Sequence, residues 1–231
     1  MRNVVIDQAD GLRRLMSGNQ GKLVAVVGSE SAGVANVALN LAAALVQLGK
    51  DVLLLDEHKG ALATPVQREG RLVLIHAVLD KEGALSSLAA QADHIVVVLH
   101  ANATSIKASY VCIKRLHHAH VLQRLRVLVD GVSDAAEAQR ILANLATTGS
   151  RYLAVALEPA GWVRADPLLT QAEHLNLTVV EAFKSSPAAL DFRQIAAGLL
   201  QWPRPLVQDC KPLEIPDVAL SHDAKPMLAM H

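Results

Sequence analysis

The chain has 231 residues, 52% of them hydrophobic and 19% charged, and its 22 basic and 22 acidic side chains cancel. That length favours one domain over two and buries roughly 70% of the surface the unfolded chain exposes. Zero net charge removes a global electrostatic case for nucleic acid. The widely separated Cys112 and Cys210 exclude a disulfide framework or a CxxC metal site and point to a reducing, cytoplasmic setting.

The start, MRNVVIDQADGLRRLM, carries Asp7 and Asp10 and does not read as a secretory signal. No uninterrupted apolar run approaches ~18 residues, so no membrane span is expected. Residues 1–20 form a short amphipathic stretch, with Ser17-Gly18-Asn19-Gln20-Gly21 as a joint to the first strand. Short apolar runs then predict strands at Leu23–Val27, Val52–Leu55, Leu72–Ile75, Ile95–Leu99, Leu125–Val129, Tyr152–Ala156 and Thr178–Val180. Each is nearly continuous rather than alternating, as in strands buried on both faces. Between them, helices are expected at Gly33–Leu48, with Gly49 as a stop, and at Ser105–His118, Ala135–Thr147, Pro167–Leu175 and Ala188–Trp202. Strands alternating with helices imply right-handed crossovers and a doubly wound, mostly parallel α/β sheet with helices on both faces. Residues 21–202 are expected to form this domain. Residues 203–231 hold five of the nine prolines and read as a loosely packed tail.

The first strand runs into Gly28-Ser29-Glu30-Ser31-Ala32-Gly33-Val34-Ala35-Asn36 and then a helix, the layout of a phosphate cradle. A P-loop, however, needs a Lys and a hydroxyl after its second Gly, where this chain has Val34 and Ala35. Glu30 adds a negative charge where phosphate would sit. The spacing also misses the dinucleotide fingerprint G-x-G-x-x-G, so a plain strand-to-helix turn is favoured on these residues alone. The stretch from Ile106 to Arg126 has five Lys or Arg and no acid, and with His117, His118 and His120 it reads as a solvated helix end. No Ser-His-Asp or Cys-His constellation is recognisable.

The segment GSESAGVANVALNLAAALVQLGKDVLLLDEH resembles the start of a MinD/ParA-type ATPase in its Asn-bearing helix (Asn36 to Asn40) and its strand ending in Asp56. The loop does not match: the family's deviant Walker A lysines and threonine are missing. The family's catalytic switch I Asp falls on His58, its switch II Asp on His76, and its adenine-contacting Asn on Asp130. The resemblance therefore implies a P-loop NTPase fold with a degenerate nucleotide site over Gly28, Glu30, Gly33, Asn36, Asp56, His58, His76 and Asp130. Neutral imidazole is a poor Mg²⁺ ligand beside a carboxylate, so ATP and Mg²⁺ are expected to bind weakly or not at all.

Asp7-Gln8-Ala9-Asp10-Gly11-Leu12-Arg13-Arg14-Leu15 is similar to the DQAxGLR segment of FlhG/FleN-type regulators of flagellar number and placement. A second match, Thr104-Ser105-Ile106 through Tyr110 and Lys114, resembles the TSIxxAYxxIK helix of that branch. In the family the amino-terminal segment activates the flagellar signal-recognition-type GTPase. The resemblance then implies that Gln8 acts at the composite GTP site, Ala9, Leu12 and Leu15 form an apolar anchor, Arg13 pairs with acidic partner surface, and Asp7 and Gly11 complete the motif. It implies a cytoplasmic pseudo-ATPase controlling flagellar assembly, with basal-body components as further partners, no nucleic acid, and at most peripheral membrane association. The alternatives are an active MinD/ParA-type ATPase with an atypical P-loop and an unrelated Rossmann-like binding module.

Overall fold

The computed structural model describes residues 21–29, 31–59 and 71–203. The amino-terminal motif, Glu30 and the tail from residue 204 lie outside the described residues. Six strands form one sheet: β1 (Leu23–Gly28), β2 (Val52–Asp56), β3 (Leu72–His76), β4 (His94–His100), β5 (Arg124–Val132) and β6 (Ala156–Arg164). Their order is β2-β3-β1-β4-β5-β6, and every pairing is parallel. The helices are α1 (Ser31–Gln47), α2 (Ala103–His120), α3 (Ala135–Leu153), α4 (Pro167–His174), α5 (Val179–Ala182) and α6 (Pro187–Gln201).

The continuous apolar strands divide their side chains between two cores, as the pleat requires. From β1, Leu23, Ala25 and Val27 face a core shared with α2 and α3, through Ile113, Leu116 and Leu145. Val24 and Val26 face the opposite core, with Val37, Leu41 and Leu45 of α1 and Phe192, Ile195 and Leu199 of α6. Each fully buried side chain of this size contributes roughly 1.5–3 kcal/mol before the cost of ordering it. The start of each of the last five helices is fixed by a side-chain cap: Asn102, Asp134, Asp166, Thr178 and Ser186 each accept a hydrogen bond from the first turn they precede. Gly49, at φ +75°, follows α1 as expected. Helix α6 is a core helix, burying Ala188, Phe192, Ile195, Ala196 and Leu199. Among the described residues no helix is long and apolar enough to cross a membrane.

Two expected strands are corrected. Tyr152 and Leu153 end α3, which closes at Ala154 with a left-handed cap (φ 53°), and β6 starts only at Ala156. Pro159 and Gly161 disguise β6 in the sequence. They are tolerated because β6 is an edge strand whose register against β5 shifts near Val127/Leu128. Thr178–Val180 is a cap followed by the first residues of α5. Thr178 and Glu181 form a capping box, a local bonding pattern that overrides the β-branched run.

The family-like Asn helix is spent on packing. Asn40, 1% exposed, donates through Nδ2 to Asn36 O at 2.9 Å and accepts from Val179 N at 2.9 Å. Asn36 in turn donates to Glu173 of α4. Replacing Asn40 by Leu strands the buried Val179 N–H, so Asn40→Leu should destabilise the fold by about 1–3 kcal/mol in urea unfolding, with its slope unchanged.

Candidate functional site

In sheets of this kind ligands bind outside the carboxyl ends of the strands. There β1 ends at Gly28, and α1 begins at Ser31, leaving only Ser29 and Glu30 between them. Helix and strand lie close together: a Cβ on Gly28 would sit 2.5 Å from Val34 Cγ2 and 2.8 Å from Val98 O. Gly28 thus serves helix–strand contact. Gly33 already lies within α1, and a Cβ there would meet nothing within 4 Å, so no close backbone approach requires it.

Beside this turn, β2 and β3 place Asp56 and His76 in register. His76 is 3% exposed, and its Nδ1 lies 2.9 Å from Asp56 Oδ1. Burial holds the His76 imidazole below its ordinary pKa even though Asp56 pulls the other way. Burial alone would raise the Asp56 carboxyl. Its bond from His58 N at 3.1 Å, with the His76 and Lys59 contacts, outweighs that and holds it below the usual range. At neutral pH the pair is a neutral imidazole donating Nδ1–H to a carboxylate. The His58 ring lies over His76, with centroids 4.4 Å apart and planes at 33°. Asp56 is committed to these neighbours. Among the described residues no group of three or more His, Cys, Asp or Glu is arranged to hold a metal ion.

A cavity of about 510 Å³ opens here, walled by Gly28, Ser29, His58, His76, Asp80 and Arg115, with Cys112 of α2 in its lining. Burial pushes the Cys112 thiol up to about 11, so it is an inert core group rather than a nucleophile. The loop after β3 is tied down. Asp80 Oδ1 accepts from Glu82 N and Ala84 N, and Leu85 N donates to His120 Nε2 at 2.8 Å. Glu57 accepts from Val78 N and Ser86 Oγ.

Asp130 ends up elsewhere, at the carboxyl side of β5, where its Oδ2 is 3.4 Å from His100 Nδ1. Burial raises the Asp130 carboxyl, and the His100 contact only partly offsets this. The His100 ring covers Gly131 and leaves no room for a side chain there, and the Gly131 φ of +75° also favours glycine. The sequence-predicted residues therefore divide. Gly28, His58 and His76 share one cavity with Asp56 behind them, Asp130 pairs with His100, and Asn36 reaches α4. His100 and Asp80 escaped the sequence reading, which took Arg115 only as part of a basic, solvated helix end. His100 directly follows the strand predicted at Ile95–Leu99 and closes the observed one. For a nucleoside triphosphate and its Mg²⁺ the described residues are a poor fit: the turn is short, carries no Lys, and has Val34 packed on its first glycine.

Comparison with known proteins places this geometry. The fold is that of MinD/ParA-class P-loop NTPases. MinD from Aquifex aeolicus superposes with a TM-score of 0.59 at 15% identity, covering 80% of this chain and 99% of that one. MinD of Pyrococcus horikoshii, solved with Mg-ADP, gives 0.56 at 12% identity over 78% of this chain and 96% of that one. In sequence, the antiactivator FleN of Pseudomonas aeruginosa is 32% identical over 114 residues, 49% of this chain. The match spans 41% of FleN's own length. No family model matches. The chain thus has the MinD-like fold, and over about half of its length it is similar in sequence to FleN.

Proposed function

We propose that the chain regulates flagellar assembly by stimulating the flagellar signal-recognition-type GTPase through residues 7–15, on a MinD-like domain that does not hydrolyse ATP. The similarity to FleN carries the reading. The crevice supports its second half, since His58 and His76 stand where the family has acids and the turn at Gly28 lacks a phosphate-binding Lys. The partner is a protein, reached through an amphipathic segment in which Leu12 and Leu15 supply the anchor and Gln8 the amide that orients the attacking water. Recruitment to the membrane or the cell pole proceeds through partners, basal-body components among them.

The test is steady-state GTP hydrolysis by the cognate GTPase with the full chain added. Wild type should raise turnover saturably. Gln8→Ala should lower maximal stimulation by about 10²-fold while leaving apparent affinity near wild type. Leu12→Asp should weaken apparent affinity, because docking would bury an unpaired charge. Unchanged GTP turnover at concentrations where the chain demonstrably binds would remove the activator reading.

A further inference from the structure

Between the carboxyl-terminal halves of α2 and α3 lies a second, open cavity of about 570 Å³, lined by residues of α2 other than those that wall the strand-end crevice. Tyr110 and Lys114, two residues of the motif on this helix, stand one helical turn apart on its wall, followed by His117 and His118. Ser150 and Arg151 of α3 stand across from them, with Tyr152, Leu153 and Ala154 completing the wall. The His117 Nδ1–H donates to Leu122 O at 2.9 Å, which leaves Nε2 as its other ring nitrogen. No acid lines the cavity. None occurs between Ile106 and Arg126, nor in α3 after Glu137. Among the described residues neither Lys114 nor Arg151 has an ion-pair partner, and the Arg151 guanidinium lies over the Tyr152 ring, 5.5 Å from its centroid. Cations near helix carboxyl ends complement the dipole, but that does not account for a concave volume in the range of small-ligand sites with hydroxyls and imidazoles converging on it. The terminal carbonyls are also engaged, His117 O by Val121 N and Gly149 O by Ala154 N.

We propose that this cavity is a binding site for a phosphate-bearing ligand, held by Lys114 and Arg151 from two helices with Tyr110, Ser150 and His118 donating. The arrangement lets charge-assisted bonds reach one ligand from two helices. It is separate from the nucleotide-type crevice and independent of the GTPase reading.

The probe is inorganic pyrophosphate, titrated into the full chain at low salt while the imidazole signals of His117 and His118 are followed by NMR. Saturable, submillimolar binding that moves those two rings is expected. The double variant Lys114→Ala/Arg151→Ala should weaken it at least about tenfold. Lys107→Ala, an exposed cation of α2 outside the cavity, should leave it within about twofold. All three positions sit on helix surfaces whose truncation should leave the fold intact, which a thermal melt verifies. The proposal fails if binding does not saturate, if His58 and His76 respond instead, or if Lys107→Ala costs as much as the double variant. With pyrophosphate binding established, sedimentation with phosphatidylglycerol vesicles identifies the source. Capture that the double variant loses makes the ligand a lipid headgroup; no capture makes it a soluble phosphate compound.

Discussion

ATP offered with Mg²⁺ to the purified chain is expected to bind with a Kd no tighter than about 1 mM, a free energy no better than about −4 kcal/mol. A P-loop earns its affinity from a Gly-rich arc of backbone N–H groups and a Lys that neutralises the outer phosphates. Here the strand passes into the helix across only Ser29 and Glu30, and the approach to Gly28 is taken by Val34. Each charge-assisted donor missing from such a site is worth about 1.5–3 kcal/mol, and at least the Lys is missing outright. Asp56, the one acid retained from the family pattern, is bonded to His76 and His58 N and paired with Lys59, so a magnesium hydrate would have to break that set. Equilibrium dialysis with labelled ATP, and hydrolysis at millimolar ATP, are the measurements. Light scattering should show no ATP-induced dimer, because in the family the bound nucleotide is sandwiched between subunits. Micromolar affinity with turnover would instead establish an active ATPase using an atypical loop.

Much of this architecture was legible because local and global signals agree. Strands β1 to β5 are near-continuous runs of Val, Leu and Ile, and the helices between them carry apolar stripes bounded by cap residues or by Gly49. Reading failed where a local rule hid the element. Pro159 and Gly161 masked β6, and the capping box turned Thr178-Val179-Val180 into the start of a helix. The site divides in the same way. Gly28, His58 and His76 meet because each follows or closes a strand, and adjacent parallel strands bring their carboxyl ends together. The wall supplied by Cys112 and Arg115 depends on how α2 crosses the sheet, which no pattern in its sequence states. Asn36 was placed at the site by resemblance, but the helical turn it occupies faces α4. A sequence window fixes which side of a helix is apolar, not which neighbour meets its few polar positions.

Acid should unfold this protein through a residue far from the crevice. His94 opens β4 at the amino-terminal edge of the sheet, where its ring meets Trp202 edge-on at 5.2 Å between centroids. Arg126 lies over the same indole at 4.2 Å, and Lys22 Nζ donates to Leu199 O and Trp202 O at 2.9 Å each. Burial, then the positive charges of Arg126 and Lys22, push the His94 imidazole down to about 4 from 6.5. The unfolded chain therefore accepts a proton on His94 near pH 6.5 that the folded chain refuses until about pH 4. The resulting stability is complete above pH 6.5, is lost as pH falls through that window, and does not change further below it. Allowing for partial solvent access, the loss from His94 alone is roughly 2–3 kcal/mol. His76, also held below its ordinary value by burial, adds to it in the same direction. The variant His94→Phe isolates the first contribution. It keeps an aromatic edge against Trp202, and it removes an Nε2 that is buried without a hydrogen-bond partner among the described residues. At pH 7 the variant should match wild type within about 1 kcal/mol, since no bond to Nε2 is lost. At pH 4.5 it should be the more stable protein by about 2 kcal/mol in urea unfolding, because only wild type has paid for the unmade imidazolium. His76 titrates identically in both and cancels from the difference. A gap between the two proteins that stays constant from pH 7 to pH 4.5 would assign the acid sensitivity to other groups.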